Sequence, residues 1–308
     1  MNILVISSNL IGDSILSTGI IKYFIDKNPN SKLTLIVGPS AAQVYKNFSN
    51  LDKLIIINKQ KFSFHWFKIW KKCIFSKWDI IIDFRSSLIS YFLFRKKSYI
   101  FFKHSNDIHQ IHQLTYFFNL KKIAYPIIFN NETEENIAKK RLLPDKKYIV
   151  IAPGGNWPPK IWPVEYFNQL LQKLLNTNKN IFIILIGSKN EKERFKENLI
   201  KNIDEKKVID IMEENITQTY SFIKRSNLFI GNDSGLMHLA AASNIPTVGL
   251  FGPTNDKLYA PFGDKCYVIR TKETYADFKL IKFDTNKSYM HSIKIDDIFE
   301  VIKAKKLI

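Results

Sequence analysis

The stretch "FIGNDSGLMHLAAASNIPTVGLFGPTN", Phe229 to Asn255, reads as strand, helix and strand in one short span. Phe229–Gly231 is apolar and ends on a glycine. Asn232, Asp233 and Ser234 are all types that cap a helix by accepting a hydrogen bond from a first-turn N–H. A helix over 235–243 follows, and small Ala240, Ala241 and Ala242 let it lie close to a sheet. "TVGLFG" is the next strand, closed by a Gly-Pro turn. Such a unit belongs to a parallel sheet with crossover helices. The exposed N–H groups and dipole at the helix start favour an anion. His238 shares the face of Ser234, one turn on.

The same alternation runs through most of the chain. Strand candidates are Ile3–Ser7, Leu33–Val37, Leu54–Ile57, Ile80–Phe84 and Ser98–Phe102, with helices starting near Ser14, Ala41, Phe64 and Ser87. The pattern then restarts. Strands are expected at Tyr148–Ala152, Ile181–Ile186, Val208–Ile211, Leu228–Ile230 and Thr247–Leu250. Helices are expected at Val164–Leu175, Glu191–Ile200, Thr217–Lys224 and Gly235–Ser243. Between the halves, "KKIAYPIIFNNETEEN" is polar and carries Pro126, and a helix over 132–143 leads into the second unit. The reading is two doubly wound α/β domains, 1–130 and 131–308, facing a central cleft. Ligands of such sheets bind beyond the carboxyl ends of the strands.

Length and composition agree with this reading. The chain has 308 residues, 45% of them hydrophobic, enough for two ordinary cores. No run approaches the roughly 20 apolar residues of a membrane span. The start lacks the basic region and cleavage site of a signal peptide. Cys73 and Cys266 have no metal-ligand or disulfide-framework spacing. A cytoplasmic setting is the expectation. The net charge of +18 is uneven: residues 1–150 hold 23 basic against 10 acidic residues, and 151–308 hold 23 against 18. The first half should therefore attract an anionic partner.

Two further loops carry chemistry. In "IAPGGNWPPKIWP", Ile151 to Pro163, a strand ends in Pro-Gly-Gly, and Lys160 sits between prolines. Gly154 and Gly155 can turn the backbone sharply and aim N–H groups at an anion, as nests do. A rigidly placed lysine beside them suits a phosphate, although a solvated loop lysine fits this stretch equally. In "SNLIGDSIL", Ser8 to Leu16, Gly12-Asp13 stands where the first strand gives way to a helix. Asp13 reads either as a helix-cap carboxylate or as a catalytic one. No Asp-x-Asp pair, dinucleotide fingerprint or P-loop accompanies these motifs.

Together they resemble glycosyltransferase family nine, the heptosyltransferases of lipopolysaccharide core synthesis. The resemblance rests on Gly12 to Leu16, on Pro153-Gly154 with Lys160-Ile161-Trp162-Pro163, and on Asn232 to His238 followed by Phe251 to Thr254. It implies a GT-B fold, with the acceptor on the first domain and a nucleotide-sugar on the second. It also implies inverting transfer without metal or cofactor. Asp13 is then the general base, with Gly12 beside it on the acceptor side, and Lys160 holds the phosphates. Gly154, Gly155, Asn156, Asp233, Ser234, Gly235 and His238 line the donor pocket. The implied donor is ADP-heptose, and the acceptor is an anionic lipid-linked glycan. Other nucleotide-sugar donors are the alternative. By analogy the final helix, 295–305, crosses back to the first domain.

Lys59 to Lys77, "KQKFSFHWFKIWKKCIFSK", mixes six lysines with Phe62, Phe64, Trp66, Phe67, Trp70 and Phe75. A basic amphipathic helix with Trp and Phe is suited to an anionic membrane surface, and a helix packed on the first sheet with a solvated lysine face is the plainer reading. Peripheral contact with the inner membrane is therefore an expectation. A nucleic-acid binder is the rival that +18 suggests, but no recognition module is present. An epimerase would need acidic residues for a two-step elimination, and none are identifiable.

Overall fold

The computed structural model of the chain describes residues 1–58 and 64–308. Within it the chain forms two compact units, Met1–Phe129 and Asn130–Ile308.

In the first unit, β1 (Asn2–Ile6), β2 (Lys32–Val37), β3 (Leu51–Ile56), β4 (Trp78–Asp83) and β5 (Arg95–Ile100) form a sheet in the order β3-β2-β1-β4-β5. Every pairing in it is parallel. Buried Ile3 to Ile6 make β1 its centre, as expected of a strand covered on both faces. Helix α1 (Ile11–Lys27) follows, and Ser14 to Ile21 are buried without a break. A helix buried on all sides must satisfy its polar groups internally. Ser17 donates to the carbonyl of Ser14 at 2.9 Å and Thr18 to that of Ile15 at 2.7 Å.

In the second unit, β6 (Lys147–Ala152), β7 (Ile181–Leu185), β8 (Val208–Asp210), β9 (Leu228–Asn232), β10 (Thr247–Phe251) and β11 (Cys266–Arg270) pair in parallel in the order β11-β10-β9-β6-β7-β8. Counting from each unit's first strand, the order is 3-2-1-4-5 in both, and β11 adds a sixth strand to the second. Helix α5 (Val164–Thr177) buries Phe167, Leu170, Leu171 and Leu174 against this sheet. The expected two-domain parallel α/β fold is thus present.

Several local expectations differ. The segments near Ala41 and Ser87 are 3-10 helices, Pro39–Tyr45 and Leu88–Phe92, rather than α-helices. The second is squeezed between Ser86, at φ 51°, and the start of β5 three residues on. Helix α3 (Gln110–Phe117) and strand β11 were not anticipated. The polar run before α3 masks its short apolar face, and β11 is only partly buried, so its apolar signal is brief. Helix α2 (Phe64–Cys73) buries Ile69 and Cys73 and leaves Lys68, Lys71 and Lys72 in solvent. Phe62, expected on its apolar stripe, lies outside the described residues, as do Lys59 and Lys61. The final helix is α11 (Ile295–Ala304). Its Ile298 and Ile302 join the second unit's own core, beside α5. Burial pushes the Cys73 thiol up to about 11. In β11, burial and then the nearby Asp264 push that of Cys266 up to about 12.

Gly19 marks where the chain returns to α1. A Cβ there would strike the carbonyl oxygens of Ala124 and Tyr125, and Thr18 Oγ1 accepts from the amide of Ile127 at 2.9 Å. Replacing a helix-interior glycine with alanine ordinarily stabilises by about 1 kcal/mol. Here Gly19→Ala should instead destabilise by roughly 1–3 kcal/mol through overpacking. Thermal melting tests this: a raised midpoint would mean that the 124–127 segment yields without cost.

Candidate functional site

In the second unit the strand order reverses between β6 and β9, which pair up to Ala152 and Gly231. This is the position where open α/β sheets hold ligands. The Pro153–Lys160 loop leaves β6 there, and Asp233-Ser234 leaves β9. Between them lies Asn232, fully buried. Its carboxamide oxygen accepts from the Trp162 amide at 3.0 Å, and its NH2 donates to the carbonyls of Pro153 at 2.8 Å and Gly154 at 3.2 Å. Both donors are used and the loop is bound to the strand end. The sequence places Asn232 among cap-type residues, but its work is to tie β9 to the loop after β6.

Lys160 closes a short 3-10 turn, Pro158–Lys160. Its Nζ stands 3.2 Å from Asp233 Oδ2, and the two side chains are 13% and 10% exposed. Lys160 is therefore not a solvated loop lysine. It is a cation held on the opposite strand's loop in a nearly dry corner, where its charge acts with little screening. The loop is also fastened from behind. The Trp162 indole donates to the Ile293 carbonyl at 3.1 Å, Ser288 Oγ to that of Ile161 at 2.6 Å, and the Tyr289 amide to that of Pro159 at 3.0 Å. Trp157 packs edge-on to Phe283, with ring centres 5.0 Å apart. The segment 283–293 carries no recognisable motif, yet it fixes the lysine loop.

The glycines serve differently from the expected nest. Neither Gly154 nor Gly155 takes a left-handed φ; among the described glycines only Gly263 has a positive one. Gly154 is needed for space, because a Cβ there would fall on the Glu191 carboxylate. Gly155 meets only Ile161, at 3.3 Å. Asn156 is exposed and makes no hydrogen bond among the described residues.

Ser234 caps α8 (Gly235–Ala242) in position but not by hydrogen bonding. Its buried Oγ has no partner, and neither has that of Thr254 in the turn after β10. Buried hydroxyls left unmatched call for an explanation, and a ligand offering polar groups supplies one. His238 is buried on the same helix at 5% exposure. Arg270, which the sequence did not single out, pins the Gly-Pro-Thr turn. Its guanidinium donates to the Gly252 carbonyl at 2.5 Å, to that of Thr254 at 3.4 Å, and to Asp256.

The first unit has its own edge of this kind, where β1 and β4 pair up to Ile6 and Asp83. Asp13 is the third residue of α1, one beyond Gly12, and the N-cap position belongs to Leu10. The cap reading therefore reduces to a favourable charge in the first turn. Ser8 Oγ accepts from the Leu10 amide at 3.1 Å and donates to Asp13 Oδ2 at 3.2 Å, orienting the carboxylate. Beneath it, Ser7, Ser14, Ser17 and Tyr45 share a buried hydroxyl network. Burial pushes the Tyr45 phenol up, with a smaller push from the Asp13 charge. On the neighbouring loop, buried Asp83 accepts from the amides of Arg85 and Ser87 at 2.8 Å each and from the hydroxyls of Ser87 and Ser90 at 2.5 Å each. Among the described residues, no group of three or more His, Cys, Asp or Glu could hold a metal ion.

Comparison with known proteins places the chain in a family. The sequence model of glycosyltransferase family 9 (heptosyltransferase) matches residues 118–290. Lipooligosaccharide heptosyltransferase 2 of Haemophilus influenzae is 30% identical over 49% of this chain, which spans only 44% of that protein's length. The protein of the same name from Campylobacter jejuni serotype O:6 is 27% identical over 82% of both chains. The solved structure of the Escherichia coli ADP-heptose lps heptosyltransferase II superposes with a TM-score of 0.76. It covers 99% of this chain and 98% of its own at 18% identity, a likeness of fold. On the match of more than half its length, the chain belongs to glycosyltransferase family 9.

Proposed function

We propose that the chain transfers a sugar from a nucleoside-diphosphate donor, bound at the β6–β9 edge, to a glycan hydroxyl bound by the first unit. The observation that carries this is the dry corner of Lys160 and Asp233 beside the unmatched hydroxyls of Ser234 and Thr254. In this reading ADP-heptose, named for the Escherichia coli structure above, is the donor, and a lipopolysaccharide-core sugar is the acceptor. The Asp13 carboxylate takes the proton of the acceptor hydroxyl, whose oxygen attacks the anomeric carbon with inversion as the bond to the diphosphate breaks. Charge that gathers on the leaving diphosphate meets Lys160 and the N–H groups opening α8, so no metal is required. Asp233 keeps the ammonium in position and yields it to the stronger phosphate charge.

A peripheral membrane contact belongs to the same reading. No described helix is long and apolar enough to cross a membrane. Lys68, Lys71, Lys72 and Lys77 are all exposed on or just beyond α2, with Phe67 at 52% and Phe75 at 94% exposure between them. They bring the chain to the anionic cytoplasmic face of the inner membrane, where the lipid-linked acceptor lies.

Three outcomes are expected. Asp13→Asn should lower kcat by about 10²–10⁴-fold and leave donor affinity unchanged. Activity within tenfold of the wild type would return Asp13 to a first-turn charge. Lys160→Ala should weaken ADP binding in calorimetry by about 1.5–3 kcal/mol, while EDTA leaves the wild type active. Unchanged affinity, or inhibition by EDTA, would put the phosphate site elsewhere. Changing the four exposed lysines to Gln should reduce co-sedimentation with anionic vesicles by about 1 kcal/mol per residue, with ADP affinity retained. Equal binding to neutral vesicles would argue against the electrostatic contact.

A further inference from the structure

Beside the edge that holds Asp13, the first unit carries a groove of about 690 Å³, well inside the range of ligand pockets at roughly 300–1,000 Å³. Trp66, Phe67 and Trp70 of α2 form one wall, and Leu88, Ile89 and Phe92 of the 3-10 turn form the other. The rim faces solvent, with Leu88 76% and Phe92 66% exposed, and Ile89 is buried at the floor. One polar group of full charge enters it. The Arg85 guanidinium lies over the Trp66 ring at 5.3 Å and donates to Asn9 Oδ1 at 3.1 Å. It forms no ion pair with any described carboxylate. Asp83, whose charge acts on it from two residues away, is occupied by the four donors of its own turn. Arg85 is half-buried, and burial pulls its pKa down. Ser86, at φ 51°, is a left-handed non-glycine residue in the turn that presents it.

A partly desolvated guanidinium with no ion-pair partner among the described residues suits a phosphate, two of whose oxygens it can hold through parallel bonds. The aromatic walls suit an alkyl chain. We propose that this groove binds the lipid portion of the acceptor, with one acyl chain between α2 and the 88–92 turn and a phosphate on Arg85. Asn9, four residues before Asp13, links the anion site to the loop that carries the proposed base. The proposal rests on the acceptor assignment made above for the first unit. It is distinct from the lysine contact, which needs only a charged surface and no groove.

Calorimetry on the full chain tests it, with dodecyl phosphate below its micelle concentration, inorganic phosphate and dodecyl maltoside as probes. Dodecyl phosphate should bind one per chain, at least about tenfold tighter than either other probe, and Arg85→Gln should weaken it by about tenfold or more. Phe92→Ser, at a site 66% exposed, should weaken it as well. Dodecyl phosphate should also inhibit transfer in competition with the acceptor and not with the donor. Inorganic phosphate binding equally well would reduce the feature to an anion site. Equal binding of the maltoside would reduce it to an apolar patch, and inhibition not competitive with acceptor would detach it from the substrate. Any of these, or no binding, overturns the proposal. ADP titration of the same samples reads the second unit separately: ADP bound without dodecyl phosphate removes the groove alone, whereas loss of ADP binding by the wild type removes the donor assignment.

Discussion

The second unit's site depends on one buried carboxamide. Asn232 stands at the last position of β9, with no water to satisfy it, so its oxygen and both its hydrogens must find protein partners. It finds them in the Pro153 and Gly154 carbonyls and the Trp162 amide, the two ends of the loop that carries Lys160. An apolar residue there would leave those three backbone groups unmatched in the interior, each at a cost of about 1–3 kcal/mol. The placement of Lys160 opposite Asp233, the close approach of Gly154 to Glu191, and the grip of 283–293 on the loop all presuppose that this strand end and this loop are fixed together.

The first unit uses the same device with a different side chain. Asp83 is the last residue of β4, the fourth strand of its unit, as β9 is of the other. There too a fully buried polar group gathers the donors of the following turn. In one unit the device fixes a loop bearing a lysine, and in the other a turn bearing an arginine. Two sheets of one topology thus place a stiffened cationic loop beside the junction of their first and fourth strands, after the first strand in one unit and after the fourth in the other. An acidic side chain is needed in the first because its partners are N–H and O–H donors only. An amide is needed in the second because its partners include carbonyls.

Much of this was legible in the sequence. The buried strands Ile3–Ile6, Tyr148–Ala152 and Leu228–Gly231 announce themselves as apolar runs, because parallel strands are covered on both faces. Lys160, Asp233 and Ser234 stand in loops next to those runs, so their gathering at one edge follows from the topology. What was not legible depends on distant partners. Arg270 lies on a strand whose alternation is too short to recognise, and its role appears only when the Gly252–Thr254 turn lies beneath it. The hold of Ser288, Tyr289 and Ile293 on the lysine loop spans more than a hundred residues and is mostly made by backbone groups, which leave no pattern in side-chain types. The Gly-Gly pair suggested a turn, but space beside Glu191 is what Gly154 provides.

The two cysteines lend the molecule a practical property. Nucleophilic attack by sulfur requires the thiolate, and both thiols titrate at about 11 to 12 because burial disfavours the charge. At neutral pH maleimides and disulfide reagents therefore find almost no reactive native sulfur. A cysteine placed on an exposed loop of either unit should react faster than both native thiols, without first removing Cys73 from the core it helps to fill. The chain is in this sense already prepared for single-site attachment of fluorophores or spin labels.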